Sequence, residues 1–217
     1  MIDANKLMDQ LMKSGVGGGL AGGLLSGALA GAVMGGKGNK LGKTAVKLGG
    51  TAVVAGLAYK AWQQYQSQRA AQGVAPAADA MFASVPAAAP GTTPVPAVGQ
   101  GDALAIVRAM IAAAKADGQV DAAEHQRIFG KINTLSLSAE EKAFLLEEFA
   151  RPLDLDAVVA SAKTPELGLE LYTASRLVIA EASPAEGAYL QLLAARLGVQ
   201  PALAAQVDRA AHELPAA

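Results

Sequence analysis

Ser183-Pro184-Ala185-Glu186-Gly187-Ala188-Tyr189-Leu190-Gln191-Leu192-Leu193-Ala194-Ala195-Arg196-Leu197-Gly198 carries a complete set of helix signals in one run. Serine is a strong N-cap and proline is pre-shaped for the first helical position. Glutamate three residues after the serine can answer its backbone N–H, and glycine follows the last apolar residue. Apolar residues recur at helical spacing between these ends, and no alternating apolar and polar stretch competes. Pro201 opens a further helix.

Similar signals recur upstream. Thr164-Pro165 caps a segment bearing Leu167, Leu171, Ser175 and Val178, and Asp154 or Asp156 starts a short helix before it. Ser138 with Glu141 opens a helix carrying Phe144, Leu145 and Phe149, which Pro152 closes. Asp121 with Glu124 forms a capping pair for Ile128, Phe129, Ile132 and Leu135. From Asp102, Leu104, Val107, Ile111 and Ala114 share one face, widened by Ile106 and Met110, in a segment ending at Asp117-Gly118. Six or seven short helices without a strand pattern predict an all-α bundle over residues 102–217. Alanine enrichment and an aromatic content of 4% agree with helices over strands.

Two different compositions precede this region. Residues 70–101 are rich in Ala, Pro and Gly, with Pro76, Pro86, Pro90, Pro94 and Pro96 and one charge, Asp79. They read as a disordered or semi-extended tether. Met81, Phe82 and Val85 are read there as loose apolar residues, with a short docking element as the alternative.

Residues 1–69 form a third unit. After an amphipathic lead (Ile2, Leu7, Met8, Leu11, Met12), Gly15, Gly19, Gly23, Gly27, Gly31 and Gly35 recur at every fourth position in a run without charge. As a helix, residues 15–36 would reach about 33 Å, enough for a bilayer core. Each interior glycine costs about 1 kcal/mol in water, so lipid is the environment that favours such a helix. The small-residue stripe then allows another helix to approach closely. A flexible tail conflicts with Leu20, Leu24, Leu25, Leu29 and Val33. A cleaved signal peptide, suggested by Ala28-Leu29-Ala30, conflicts with Asp3 and Asp9 at the leading end, though a secreted domain lacking residues 1–30 stays as an alternative. A second charge-free stretch, Leu48 to Tyr59, is short for a span. It crosses only if Lys47 and Lys60 snorkel and Tyr59, Trp62 and Tyr65 anchor the interface; a re-entrant or surface-lying helix is the other reading.

Charge divides along the same boundary. Residues 1–69 hold eight basic and two acidic side chains, whereas residues 102–217 hold ten basic and sixteen acidic ones. Lys37, Lys40, Lys43 and Lys47 flank the apolar run and suit anionic headgroups. With one crossing these lysines keep the C-terminal domain cytoplasmic, the preferred topology; with two they place it outside. Nucleic acid is disfavoured, because no aromatics interleave with the lysines.

The chain has no cysteine and only two histidines, His125 and His212, which excludes thiolate chemistry and a histidine-rich metal site. No nucleophile motif and no phosphate loop is present, so the chain reads as non-enzymatic. One turn has ligand chemistry. Asp117, Asp121 and Glu124 surround Gly118, and clustered carboxylates suit a hard cation, Ca²⁺ first, without matching an EF-hand loop. The same residues also serve as helix terminators and caps.

The run from Ala109 to Gly118, continued by Val120, Asp121 and Glu124, resembles the tellurite-resistance TerB-like helical domain. With the Gly-rich N-terminus and the Pro/Ala tether, the whole arrangement resembles the inner-membrane proteins of the DUF533 (YebE-like) group. The resemblance implies an all-α domain, attachment to a bacterial inner membrane, no established catalysis, and acidic metal positions at Asp117, Asp121 and Glu124. The later turn, Ile179 to Glu186, keeps Glu181 and Glu186 but has alanines where the resemblance leads one to expect aspartates. The expected function is a membrane-tethered interaction module in envelope or metal-stress response. It would bind lipid, associate through the glycine stripe and meet an unidentified protein partner. A divalent-cation sensor built on the acidic turn is the alternative.

Overall fold

A computed structural model describes residues 2–14, 50–73, 82, 98–117, 130, 132–133, 135–179 and 182–213. Eight α-helices and no strand lie among the described residues. They are α1 (Ala4–Ser14), α2 (Gly50–Ala71), α3 (Gln100–Ala114), α4 (Ala139–Ala150), α5 (Leu155–Ser161), α6 (Pro165–Val178), α7 (Pro184–Arg196) and α8 (Pro201–His212).

The caps predicted at Ser138, Thr164 and Ser183 are observed, whereas the predicted Asp121–Glu124 pair lies outside the described residues. The hydroxyls of Ser138, Thr164 and Ser183 accept the N3 backbone N–H of α4, α6 and α7. Glu141 and Glu186 return the bond to the Ser138 and Ser183 N–H, completing two capping boxes. Between Asp154 and Asp156, Asp154 is the cap of α5, accepting from Ala157 N–H at 2.9 Å. α7 ends in a Schellman motif: Val199 N–H donates to Ala194 O and Gly198 N–H to Ala195 O. That geometry puts Gly198 at φ +70°, where a side chain would be strained.

α3 and α6 are the central pair. Ten of the fifteen residues of α3 are buried, six of them alanines that let neighbouring backbones approach. α6 is buried almost all round, through Leu167, Leu169, Leu171, Ala174, Leu177 and Val178. α1, α4, α5 and α7 also lean on α3, whereas α2, α7 and α8 lean on α6.

α2 is a core helix. Val54, Leu57, Ala58, Ala61, Trp62 and Tyr65, at helical spacing, are buried against α1, α6 and α8. The reading of Leu48 to Tyr59 as a second span is corrected: the apolar face is covered by protein, and no helix among the described residues is long and apolar enough to cross a membrane. Trp62 and Tyr65 do not form an interfacial anchor. Their rings pack 5.7 Å apart inside the bundle, and the Tyr65 hydroxyl donates to Gln200 Oε1 at 2.8 Å.

The lead segment is equally integrated. Asp3 caps α1 through Lys6 N–H, and Leu7, Met8 and Leu11 are buried. Asp3 N–H donates to Glu141 Oε1, Ala4 N–H to Gln100 Oε1, and the Thr51 hydroxyl to Asn5 Oδ1 at 2.7 Å. Thus α1 joins α2, α3 and α4 at one end.

Candidate functional site

The six glycines of the stripe (Gly15, Gly19, Gly23, Gly27, Gly31, Gly35) and Lys37, Lys40, Lys43 and Lys47 lie outside the described residues, as do Asp121 and Glu124. Asp117 is described, partly buried in the turn after α3. Among the described residues no group of three or more His, Asp or Glu side chains could hold a metal ion.

Beside that turn, Lys115 has a structural task that spacing did not disclose. Its ammonium donates to Glu148 O at 2.9 Å and Arg151 O at 2.7 Å, supplying donors and positive charge to the carbonyl end of α4. Burial pushes its pKa down, and neighbouring Glu148 acts in the opposite sense.

The most perturbed carboxyl lies elsewhere, on α6. Glu170 is 5% exposed, and its pKa rises to about 7 because burial disfavours the charge and Asp102 and Glu166 add repulsion. Asp102 comes from the first turn of α3, and Glu166 lies one turn before Glu170. Burial works against ionisation of Glu166 as well. There, however, its own N–H, the Phe82 N–H and the Thr164 hydroxyl together hold the carboxyl below the usual range.

Phe82 lies against this seam. Its N–H donates to Glu166 Oε1 at 3.1 Å, and its ring meets Tyr59 edge-on at 5.5 Å between centroids. The residue is 6% exposed and holds φ +62°, a conformation that contacts must maintain in a non-glycine residue. Phe82 is therefore a docked residue, which corrects its reading as loose.

A lone Glu in a helix as apolar as Leu167 to Ile179 was the available signal for Glu170, since a helix buried all round must bury its carboxyl too. The seam can hold or release a proton near neutrality. Asp102 and Glu166 both disfavour ionisation of Glu170 there.

The chain matches the DUF533 family, described as proteins of unknown function, over residues 17–211. It belongs to that family. No curated protein and no solved structure matches the chain. In this DUF533 protein the match begins in the glycine run and ends within α8, so it covers α2 to α8 but not α1.

Proposed function

We propose that this DUF533 protein is a non-catalytic, membrane-attached helical module of the bacterial inner membrane, in which residues 15–36 engage lipid and associate through their glycines while the bundle meets a protein partner. One observation carries the reading: a charge-free run with glycine at every fourth position, followed by four lysines, is set between two helices that are both built into the bundle core. A run of this composition gains little as a helix in water and much more in lipid. The lysines add attraction to an anionic leaflet.

The bundle supplies recognition on this reading. Its described titratable cluster around Glu170 suits proton uptake. Fractionation of cells expressing the full-length chain tests the attachment. The chain is expected in the membrane pellet, released by detergent and resistant to a high-salt wash. Recovery as a monomer in the detergent-free supernatant would contradict the proposal.

A further inference from the structure

We infer that the seat filled by Phe82 is a binding site for a β-arylethylamine, an aromatic ring two carbons from a protonated nitrogen, and that Phe82 occupies it in place of that ligand. The inference is independent of membrane attachment and assigns the bundle a ligand of its own.

Three acids set the charge of the seat. Glu166 accepts the Phe82 N–H at 3.1 Å, and Asp102 and Glu166 both act on Glu170, one turn further along α6. Elsewhere in the bundle, carboxylates are matched by bases. Glu141 pairs with Lys6, Glu148 with Arg108 and Arg151, Asp156 with Arg196, Asp208 with Arg176 and Glu213 with Lys60. Among the described residues, none of Asp102, Glu166 and Glu170 has a basic partner. Glu170 is also 5% exposed and receives no hydrogen bond from a described residue. A buried carboxyl that neither a donor nor a cation answers leaves this seam short of positive charge.

Phe82 supplies the shape. Its nitrogen, Cα, Cβ and ring form the skeleton of a β-arylethylamine, with the nitrogen on Glu166 Oε1 and the ring edge-on to Tyr59. Tyr59 and Glu166 are each partly exposed, so the seat is reached from the surface. As an occupant, Phe82 is imperfect on two counts. Its neutral amide meets a carboxylate, where an ammonium would form the stronger, charge-assisted bond. Its φ of +62° is an angle defined by the preceding carbonyl carbon, so only a residue within a chain has it. A free amine, or an aromatic residue at the first position of a peptide, has no such angle and escapes that strain. Its ammonium would bring into the seam the positive charge that Asp102, Glu166 and Glu170 lack.

The test uses the full-length chain with Phe82→Gly, which vacates the ring position and tolerates the backbone angle. It is titrated with 2-phenylethylamine by calorimetry at pH 8, beside the parent. Saturable binding is expected, about tenfold or more tighter than in the parent, and adding Glu166→Gln is expected to weaken it by about tenfold or more. N-acetyl-2-phenylethylamine keeps the ring and an N–H but not the charge, and is expected to bind as weakly as the amine binds the Glu166→Gln chain. The tripeptide Phe-Ala-Ala separates two sources of the same chemistry. Binding at least as tight as that of the amine assigns the seat to a peptide N-terminus, and exclusion of the tripeptide while the amine binds assigns it to a free amine; both support the site. Should the Phe82→Gly chain lose its thermal unfolding transition, the parent bearing 4-fluorophenylalanine at position 82 carries the test. There the amine is expected to displace the ring and move its fluorine resonance, and the acetylated amine is not. A folded Phe82→Gly chain without saturable binding, binding indifferent to Glu166→Gln, or a fluorine resonance unmoved by millimolar amine would overturn the inference.

Discussion

Glu170 gives the fold a pH response near neutrality. Its carboxyl is raised from 4.5 to about 7 in the folded chain, by burial first and by Asp102 and Glu166 second. Between these values the unfolded chain has released the proton and the folded chain retains it, so stability falls as pH rises through the window and levels off above it. The full shift corresponds to about 3 kcal/mol at most. Replacing Glu170 by Gln removes the penalty: the variant is expected to gain on the order of 1–3 kcal/mol over the parent at pH 8 and to lose most of that advantage at pH 5. Urea unfolding at the two pH values measures it, and a gain of the same size at both would contradict this assignment. Nothing in local spacing separates Glu170 from Glu166, one turn earlier on α6. The difference arises from helices distant in sequence, so only the apolar surroundings of Glu170 were readable beforehand.

Helix ends were the most legible elements, because a cap is a contract between residues three apart. Ser138 with Glu141 and Ser183 with Glu186 fold as read, and each is a local matter of two hydrogen bonds. The two boxes nevertheless differ in worth. Glu141 additionally receives Asp3 N–H and the Lys6 ammonium, whereas Glu186 serves its own helix end. Ser183→Ala is expected to cost about 1 kcal/mol. Glu141→Ala is expected to cost about 1 kcal/mol more than Glu186→Ala, because it also strips two donors at the α1 joint. Chemical denaturation of the two variants checks this, and equal losses would mean that α1 does not depend on Glu141.

The long-range elements were less legible. α2 has an evident apolar face, but the partners that cover it, such as Gln200 and Gln206, lie more than 130 residues away. A charge-free stretch in a chain with a strongly apolar neighbour then resembles a membrane segment. Trp62→Ala, which empties a buried position between α2 and its partners, is expected to destabilise the whole bundle by about 3–5 kcal/mol. An interfacial tryptophan would leave the unfolding transition unchanged.

At the scale of the molecule, the described helices form one all-α bundle in which α1 and α2, separated by residues 15–49 in sequence, share the same core. Undocking α1 would expose Leu7, Met8 and Leu11, at about 1.5–3 kcal/mol for each fully buried side chain. On the proposed membrane attachment, Lys37, Lys40, Lys43 and Lys47 would supply the attraction to anionic lipid. Replacing Lys37, Lys40, Lys43 and Lys47 together by Gln is expected to weaken binding to anionic vesicles by on the order of a hundredfold or more, at about 1 kcal/mol per lysine, and to leave binding to neutral vesicles unchanged. A co-sedimentation series against the anionic lipid fraction reads both effects.

The most direct test of membrane attachment is vesicle flotation of the purified full-length chain beside a variant in which residues 15–49 are replaced by a Gly/Ser linker of equal length. A flexible linker of that size readily spans the ends of α1 and α2. The parent is expected to float with phosphatidylglycerol-containing vesicles, while the variant stays at the bottom of the gradient with its thermal unfolding transition intact. A parent chain that remains at the bottom with a folded bundle would contradict it.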